Sequence, residues 1–183
     1  MFDRQYKFRG RHAFRVAELT KAFDELGRTA LFKRNVDVYV NAPLVGFLYG
    51  RRAEPDNSKR PNTNQDDIQS IMADRVVLSS HDLQFDFWLI MLLDEEYEPD
   101  EEKRIDKAFR CMGQNPDDEE RFDSYVRGGV DVLYEKLMEG EKDPKAYVSR
   151  LQSFLDDFNN RFNMHINKEE MGLLHNPVAG VGE

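Results

Sequence analysis

The stretch SSHDLQFDFWLIMLLD, residues 79–94, is strongly apolar in its second half and contains the tryptophan of the chain, Trp88. A helix over 82–94 would be hydrophobic on nearly all sides, and such a helix belongs in the middle of a core. Ser79 and Asp82 have the spacing of a capping box, with Asp in place of Glu or Gln, and predict where this helix begins. The stretch therefore predicts the central element of a helical protein.

Four further segments carry apolar residues three or four positions apart, which is the helical period. They are residues 11–26, 101–112, 117–138 and 144–162. Asp100, Asn115–Pro116 and Asp143–Pro144 are typical helix starts, and glycines follow several of the segments as stops. Residues 68–74 add a short helix. The pattern predicts an all-α fold, a single-domain helical bundle of about six helices around the central apolar helix 82–94.

The block at residues 31–52 fits two structures. Valines alternate with polar residues over 36–40, as in a strand, but the apolar residues of the block also fall on one helical face. Because a strand here would have no partner among predicted helices, we favour a helix. Gly46 and Gly50, and likewise Gly128–Gly129, would let another backbone approach closely. That contact could be made within one molecule or between molecules, so the oligomeric state stays open.

Charge divides the 183-residue chain into two regions. Residues 1–60 hold 13 Lys and Arg against 7 Asp and Glu, a balance of +6, whereas the whole chain has a net charge of −9. We expect one domain over 1–163, made of a basic N-terminal region (residues 1–60) that runs into an exposed loop (residues 53–67), and an acidic region (residues 61–163). Residues 164–183 are predicted to be an irregular or disordered tail. The asymmetry indicates either two regions that face each other or a surface for a charged partner.

Several classes of protein lack their sequence signature here. No apolar run approaches the roughly 20 residues of a membrane helix, and the start of the chain has no apolar segment typical of secretion. One cysteine, Cys111, excludes an internal disulfide and favours a cytoplasmic location.

The acidic run 94–102 fails the calcium-loop pattern, because Pro99 stands where glycine is required. No nucleotide-binding or catalytic motif occurs, so we expect no cofactor, no metal, no membrane partner and no enzyme activity.

The basic region offers candidate contact residues for a protein partner or for DNA. They are Arg9, Arg11, Lys33, Arg34, Arg51, Arg52, Lys59 and Arg60. The first of them are interleaved with Phe2, Tyr6 and Phe8, and exposed aromatic rings beside arginines suit stacking on bases and contacts to phosphates. A sequence pI near 5.0 opposes non-specific binding of nucleic acid. Pairing of these cations with the chain's own acids, or with those of a protein partner, is the favoured interpretation.

Two blocks also resemble a known group of proteins. LFKRNVDVYVNAPLVGFLYGRRAEPD (31–56) and LIMLLDEEYEPDEEKRIDKAFR (89–110) resemble small uncharacterised bacterial proteins associated with defence and DNA-modification (Dnd-type phosphorothioation) gene neighbourhoods. The resemblance implies a context and carries no catalytic residue. The sequence thus favours a non-enzymatic accessory protein that binds other proteins, in a bacterial DNA-modification or defence system. A nucleic-acid-binding module and an enzyme of unrecognised type are the alternatives.

Overall fold

The computed structural model describes residues 1–23, 29–59, 67–139 and 144–162. Within these ranges the chain forms a mostly α-helical domain with one two-stranded sheet, and the predicted fold class is confirmed. The elements in chain order are β1 (Tyr6–Arg9), α1 (Gly10–Leu19), α2 (Asn35–Leu48), β2 (Ile68–Ile71), α3 (Ala73–Leu78), α4 (Ser80–Leu93), α5 (Glu101–Ile105, continued by a π-helical turn Asp106–Arg110), α6 (Pro116–Leu137) and α7 (Pro144–Phe162). None of these helices is both long and apolar enough to cross a membrane.

Helices α2 and α6 pack against each other more extensively than any other pair of described elements. Glycines make this close packing sterically feasible. A Cβ built on Gly129 would overlap the carbonyl oxygen of Ala42, and one on Gly46 would overlap the carbonyl oxygen of Tyr125. The predicted close approach at these glycines is therefore made within one molecule. Gly50 has another function, since it ends α2 with a φ of +60° and has open space around it.

Helix α4 is buried on one face. Leu83, Phe87, Ile90 and Met91 belong to the core, and the opposite face is open to solvent. We expected this helix to be enclosed on all sides. Only one face is enclosed, because the described neighbours α2, α3, α5 and α6 leave the other face uncovered. Ser79 precedes α4, but its side chain makes no capping hydrogen bond, so the predicted capping box is not formed.

The two-stranded sheet was missed by the helical interpretation of residues 68–74. Strands β1 and β2 are antiparallel, with Tyr6 opposite Ile71 and Arg9 opposite Ile68. Phe8 and Ile71 point into the core. The prediction of a helix was wrong because the stabilising hydrogen bonds come from a strand about sixty residues earlier, which no local spacing reveals.

Local signals placed most helix boundaries correctly. The Asp100 carboxylate accepts a hydrogen bond from the Lys103 amide at 3.1 Å, and the Asn115 side chain accepts one from the Asp117 amide at 3.1 Å. Residues 36–40 are helical, as favoured. Helix α1 ends at Leu19 rather than at residue 26. Gly27, Asp143 and the predicted tail 164–183 lie outside the described residues.

Candidate functional site

Four of the eight basic residues singled out in the sequence form ion pairs with acids of the same chain. The nitrogen-to-oxygen distances are 3.2 Å for Arg11–Asp131, 2.6 Å for Arg34–Asp37, 3.2 Å for Arg51–Glu135 and 2.9 Å for Arg52–Glu96. Three of these acids belong to the acidic region, so the basic and acidic regions face each other in the fold. Apart from the pair with the buried Asp131, these are exposed pairs that contribute only about 0–1 kcal/mol each, but all four occupy the cations.

The other four basic residues differ in their surroundings. Arg9, Lys33 and Lys59 form no ion pair with any residue in the described ranges of the chain, and Arg60 lies outside them. Arg9 is exposed on β1, two positions from Lys7, which is likewise exposed and unpaired among the described residues. A small basic surface without partners among the described residues therefore lies on β1.

The aromatic residues next to these cations are not available for stacking on bases. Phe2 and Phe8 are buried in the core, and Tyr6 is half-buried and stacked on the buried Tyr39 with 4.1 Å between ring centroids. The expectation of exposed rings beside the arginines was wrong, because β1 directs alternate side chains inward. The aromatic positions of the N-terminal segment stabilise the fold instead.

A buried carboxylate on α6 gathers charges from α1. The Asp131 oxygens lie 3.2 Å from Arg11 Nη2 and 3.2 Å from the buried His12 Nε2, and Arg15 completes the cluster. Burial disfavours the charged form, but the close approach of His12 and the charges of Arg15 and Arg11 outweigh burial and lower the pKa of Asp131. The cluster connects α1 to α6, although His12 Nε2 does not have the geometry of a hydrogen bond to the carboxylate.

Asp94, the first residue of the acidic run, is buried in a second cluster. Arg121 holds it in a two-bond pair, with Nε–Oδ2 at 2.7 Å and Nη2–Oδ1 at 2.9 Å, and the Tyr125 hydroxyl donates a bond to Oδ2 at 2.9 Å. Burial opposes ionisation, but these hydrogen bonds prevail and lower the pKa of Asp94. Both carboxylate oxygens are thus engaged with side chains. Among the described residues no group of three His, Cys, Asp or Glu side chains could hold a metal ion.

The open face of α4 forms an exposed apolar surface together with the π-helical turn. We call it the α4 apolar surface. It consists of the exposed Phe85, Leu93 and Phe109 and of the partly exposed Trp88 and Leu89, of which Trp88 also packs against the core. Phe85 is 54% exposed, Leu93 60% and Phe109 55%. The Trp88 and Phe109 rings are in contact, with centroids 5.7 Å apart. On α4 these positions recur at helical spacing, so the side chains lie on one continuous face.

The sequence contained the signal for this surface. A helix that is apolar on all sides has more hydrophobic surface than one core contact can cover. Which side remains open depends on where the other helices pack, and spacing along the chain does not give that information.

A cavity of about 120 Å³ lies beside β1. Its walls come from β1, α1, α6 and the segment 55–57, and the lining residues are Tyr6, Lys7, Phe8, Arg9, His12, Pro55, Asp56, Asn57, Asp123 and Arg127. A smaller cavity of about 50 Å³ adjoins Tyr6 and Asp123 as well. Concave sites with a few convergent polar groups are the usual place for small ligands.

Asp123 is the least expected residue of this cavity. In the sequence it stands four positions before Arg127, the spacing of an ordinary ion pair on an exposed helix face. In the structure Arg127 donates to the Ala53 carbonyl at 2.7 Å and pairs with Glu120. Asp123 therefore has no hydrogen bond or ion pair among the described residues. Burial raises the pKa of Asp123 to about 7, because the charges of Glu120 and Glu119 add to it and the opposing charges of Arg127 and Arg4 do not outweigh it.

Comparisons with known proteins give no relative from which a role could be carried over. No family model, curated protein or solved structure matches the chain.

Proposed function

We propose that the protein acts by binding another protein through the α4 apolar surface. The observation that carries the proposal is the exposure of large apolar side chains on one continuous face. Folded proteins expose single apolar residues routinely, but contiguous apolar patches of this kind are typical of interaction sites. The resemblance of residues 31–56 and 89–110 to proteins of DNA-modification and defence neighbourhoods supports placing the partner in such an assembly.

Burial of this surface would supply binding free energy. Complete burial of a Phe or Leu side chain is worth about 1.5–3 kcal/mol. Since Phe85, Leu93 and Phe109 are each a little over half exposed, their coverage by a partner would contribute roughly 1 kcal/mol each. A few such side chains at the centre of an interface carry much of its affinity.

The charges around the surface indicate what the partner presents. Residues 79–110 contain ten Asp and Glu against four Lys and Arg. The Glu95 and Glu96 side chains, at the end of α4, are 79% and 72% exposed, and each pairs at one edge with an arginine of this chain, Arg104 and Arg52. A complementary partner therefore has an apolar patch bordered by lysines and arginines, because opposite charges at a rim guide orientation and association rate.

A pair of matched variants tests this proposal. Leu93→Glu places a charge in the α4 apolar surface, whereas Leu155→Glu places the same charge on α7 at a leucine of similar exposure, 54%. We expect a tagged wild-type protein and Leu155→Glu to co-purify with one partner from the native host. Leu93→Glu should bind that purified partner more weakly by about 2 kcal/mol, or roughly thirtyfold.

Two results would count against binding at this surface. One is a wild-type protein that is recovered alone under gentle lysis. The other is equal affinity of all three proteins for the purified partner, with unchanged thermal unfolding of each variant showing that the folds are intact.

The basic surface of β1 favours a second candidate function, binding of nucleic acid. Lys7 and Arg9 are exposed and have no ion pair among the described residues, so both are available to phosphates. A two-stranded antiparallel ribbon is also an element that fits the major groove of DNA. In contrast, Arg51 and Arg52 already pair with acids of this chain.

Fluorescence anisotropy with duplex DNA across a salt series separates the two candidates. If β1 binds DNA, the Lys7→Glu/Arg9→Glu variant should bind DNA more weakly than the wild-type protein. For the wild-type protein, the logarithm of the binding constant should fall linearly with the logarithm of the salt concentration. Arg110→Glu is the control, since that exposed arginine lies beyond α5 and pairs with Asp106. Equal affinities of all three proteins would exclude β1 as the contact surface.

A further inference from the structure

The cavity beside β1 holds charges of both signs that the protein itself leaves unpaired. Asp123 contributes a carboxyl group from α6, and Lys7 and Arg9 contribute cations from β1. None of the three has a hydrogen bond or an ion pair with another side chain in the described ranges. Tyr6 and Phe8 add aromatic surface to the wall.

The remaining charged groups around the cavity are already engaged. Arg127 is held by the Ala53 carbonyl and by Glu120. Asp56 accepts hydrogen bonds at 2.8 Å from the backbone amides of Arg11 and Ser58.

The buried His12 has its Nε2 3.2 Å from Asp131, but the geometry of this contact is not that of a hydrogen bond. A ligand in the cavity would therefore meet one carboxyl group and two cations that have no ion pair among the described residues.

We propose that this cavity binds a small zwitterion of the free α-amino acid class. Its ammonium group would pair with Asp123, and its carboxylate would pair with Arg9 and Lys7. A ligand with a single charge would leave the opposite charge of the cavity without a partner, which costs affinity. The proposal concerns a site separate from the α4 apolar surface and does not depend on a protein partner.

Size and electrostatics agree with this ligand class. A volume of about 120 Å³ is far above the roughly 10–15 Å³ that one enclosed water requires, and it admits a molecule of a few heavy atoms. Burial is the main reason that the pKa of Asp123 is raised, and the nearby charges of Arg127 and Arg4 lower it without outweighing burial. An ammonium group beside it would favour the charged form.

Titration of the ¹⁵N-labelled full chain with glycine, followed by amide chemical shifts near neutral pH, tests the proposal. We expect saturable shifts around β1 and Asp123 with a Kd of about 1 mM. Methylammonium and acetate each carry half of the zwitterion and should bind at least about tenfold more weakly. L-Alanine carries the same ammonium and carboxylate groups as glycine and should bind with a similar Kd.

Three variants complete the experiment. Asp123→Asn and Arg9→Gln should each weaken glycine binding by about tenfold or more. Asp156→Asn, an exposed acid on α7, should leave it unchanged. Since Arg9 is exposed, its replacement keeps the fold and tests the site even if Asp123→Asn alters packing. Absence of saturable shifts up to about 50 mM glycine, fifty times the expected Kd, or wild-type affinity in both Asp123→Asn and Arg9→Gln, would overturn the proposal.

Discussion

Replacement of Asp86 by asparagine should stabilise the protein at alkaline pH and lose this effect in acid. Asp86 lies on the buried face of α4, is 4% exposed, and its Oδ2 has no hydrogen-bond partner among the described residues. Burial, followed by the nearby charge of Asp82, raises the pKa of Asp86 from 3.8 to about 7. The folded protein therefore binds the proton of this carboxyl group more tightly than the unfolded chain does.

The magnitude follows from the difference between the two pKa values. Each unit corresponds to 1.36 kcal/mol, so the shift to about 7 amounts to about 4 kcal/mol. Burial of the polar asparagine amide also costs free energy, so we expect a net gain of about 2 kcal/mol. For an acid whose pKa is raised on folding, the cost is absent below the unfolded value of 3.8. The cost grows between the two pKa values and is complete above about 7.

Urea unfolding of wild type and Asp86→Asn over a series from about pH 4 to pH 8 measures this difference. We expect Asp86→Asn to be more stable by about 2 kcal/mol at the alkaline end and nearly equal at the acid end. Asp156→Asn on the exposed side of α7 should stay within about 0.5 kcal/mol of wild type throughout. A variant less stable than wild type at every pH would show that the carboxylate is favourably solvated, and the reasoning would be refuted.

Three further variants test the packing and the buried ion pairs. Gly129→Ala should destabilise by about 1–3 kcal/mol or more in thermal unfolding, because its Cβ would overlap the Ala42 carbonyl oxygen where α2 and α6 meet. Arg121→Leu should cost about 3–5 kcal/mol in urea unfolding, since it leaves the buried Asp94 carboxylate without its cation. Asp131→Asn should cost about 3 kcal/mol near neutral pH. Because the pKa of Asp131 is lowered on folding, this difference should shrink as the pH falls below the carboxyl's ordinary value.

The first two of these variants have a matched comparison. Gly50→Ala has open space around it and should cost only about 1 kcal/mol, from the positive φ. Tyr125→Phe removes one hydrogen bond to Asp94 and should cost about 1 kcal/mol. If Gly129→Ala and Gly50→Ala lowered the free energy of unfolding equally, close packing of α2 on α6 would be contradicted. If Tyr125→Phe lowered the free energy of unfolding as much as Arg121→Leu, the ion pair with Arg121 would not be the main stabilising contact of Asp94.

The fold class and most helix ends could be predicted from the sequence because their causes are local. Asp100 and Asn115 cap helices through amides two or three residues away, and Pro144 begins α7 as predicted. For residues 36–40 the spacing fitted both a strand and a helix, and the helix was favoured because no partner strand was predicted. Gly46 and Gly128–Gly129 gave a further correct signal, since an absent side chain inside a helix indicates a nearby backbone.

The candidate sites could not be predicted in the same way. Pairing of Arg51 and Arg52 with the chain's own acids was favoured from the sequence, but their partners Glu135 and Glu96 are distant in the chain and could not be named. Phe8 looked like a stacking residue and is buried. The sequence did not single out Asp123, which lines a cavity while Arg127 donates to a backbone carbonyl and pairs with another acid.

The stretch at residues 79–94 shows both contributions. The sequence by itself determined that these residues form a helix and that much of its surface is apolar, because helical propensity and hydrophobicity belong to the residues themselves. The tertiary structure alone decided that Leu83, Phe87 and Ile90 are buried while Phe85 and Leu93 face solvent. The reason is physical: burial depends on which neighbouring elements cover a face, and those neighbours are brought together by contacts between residues far apart in the chain.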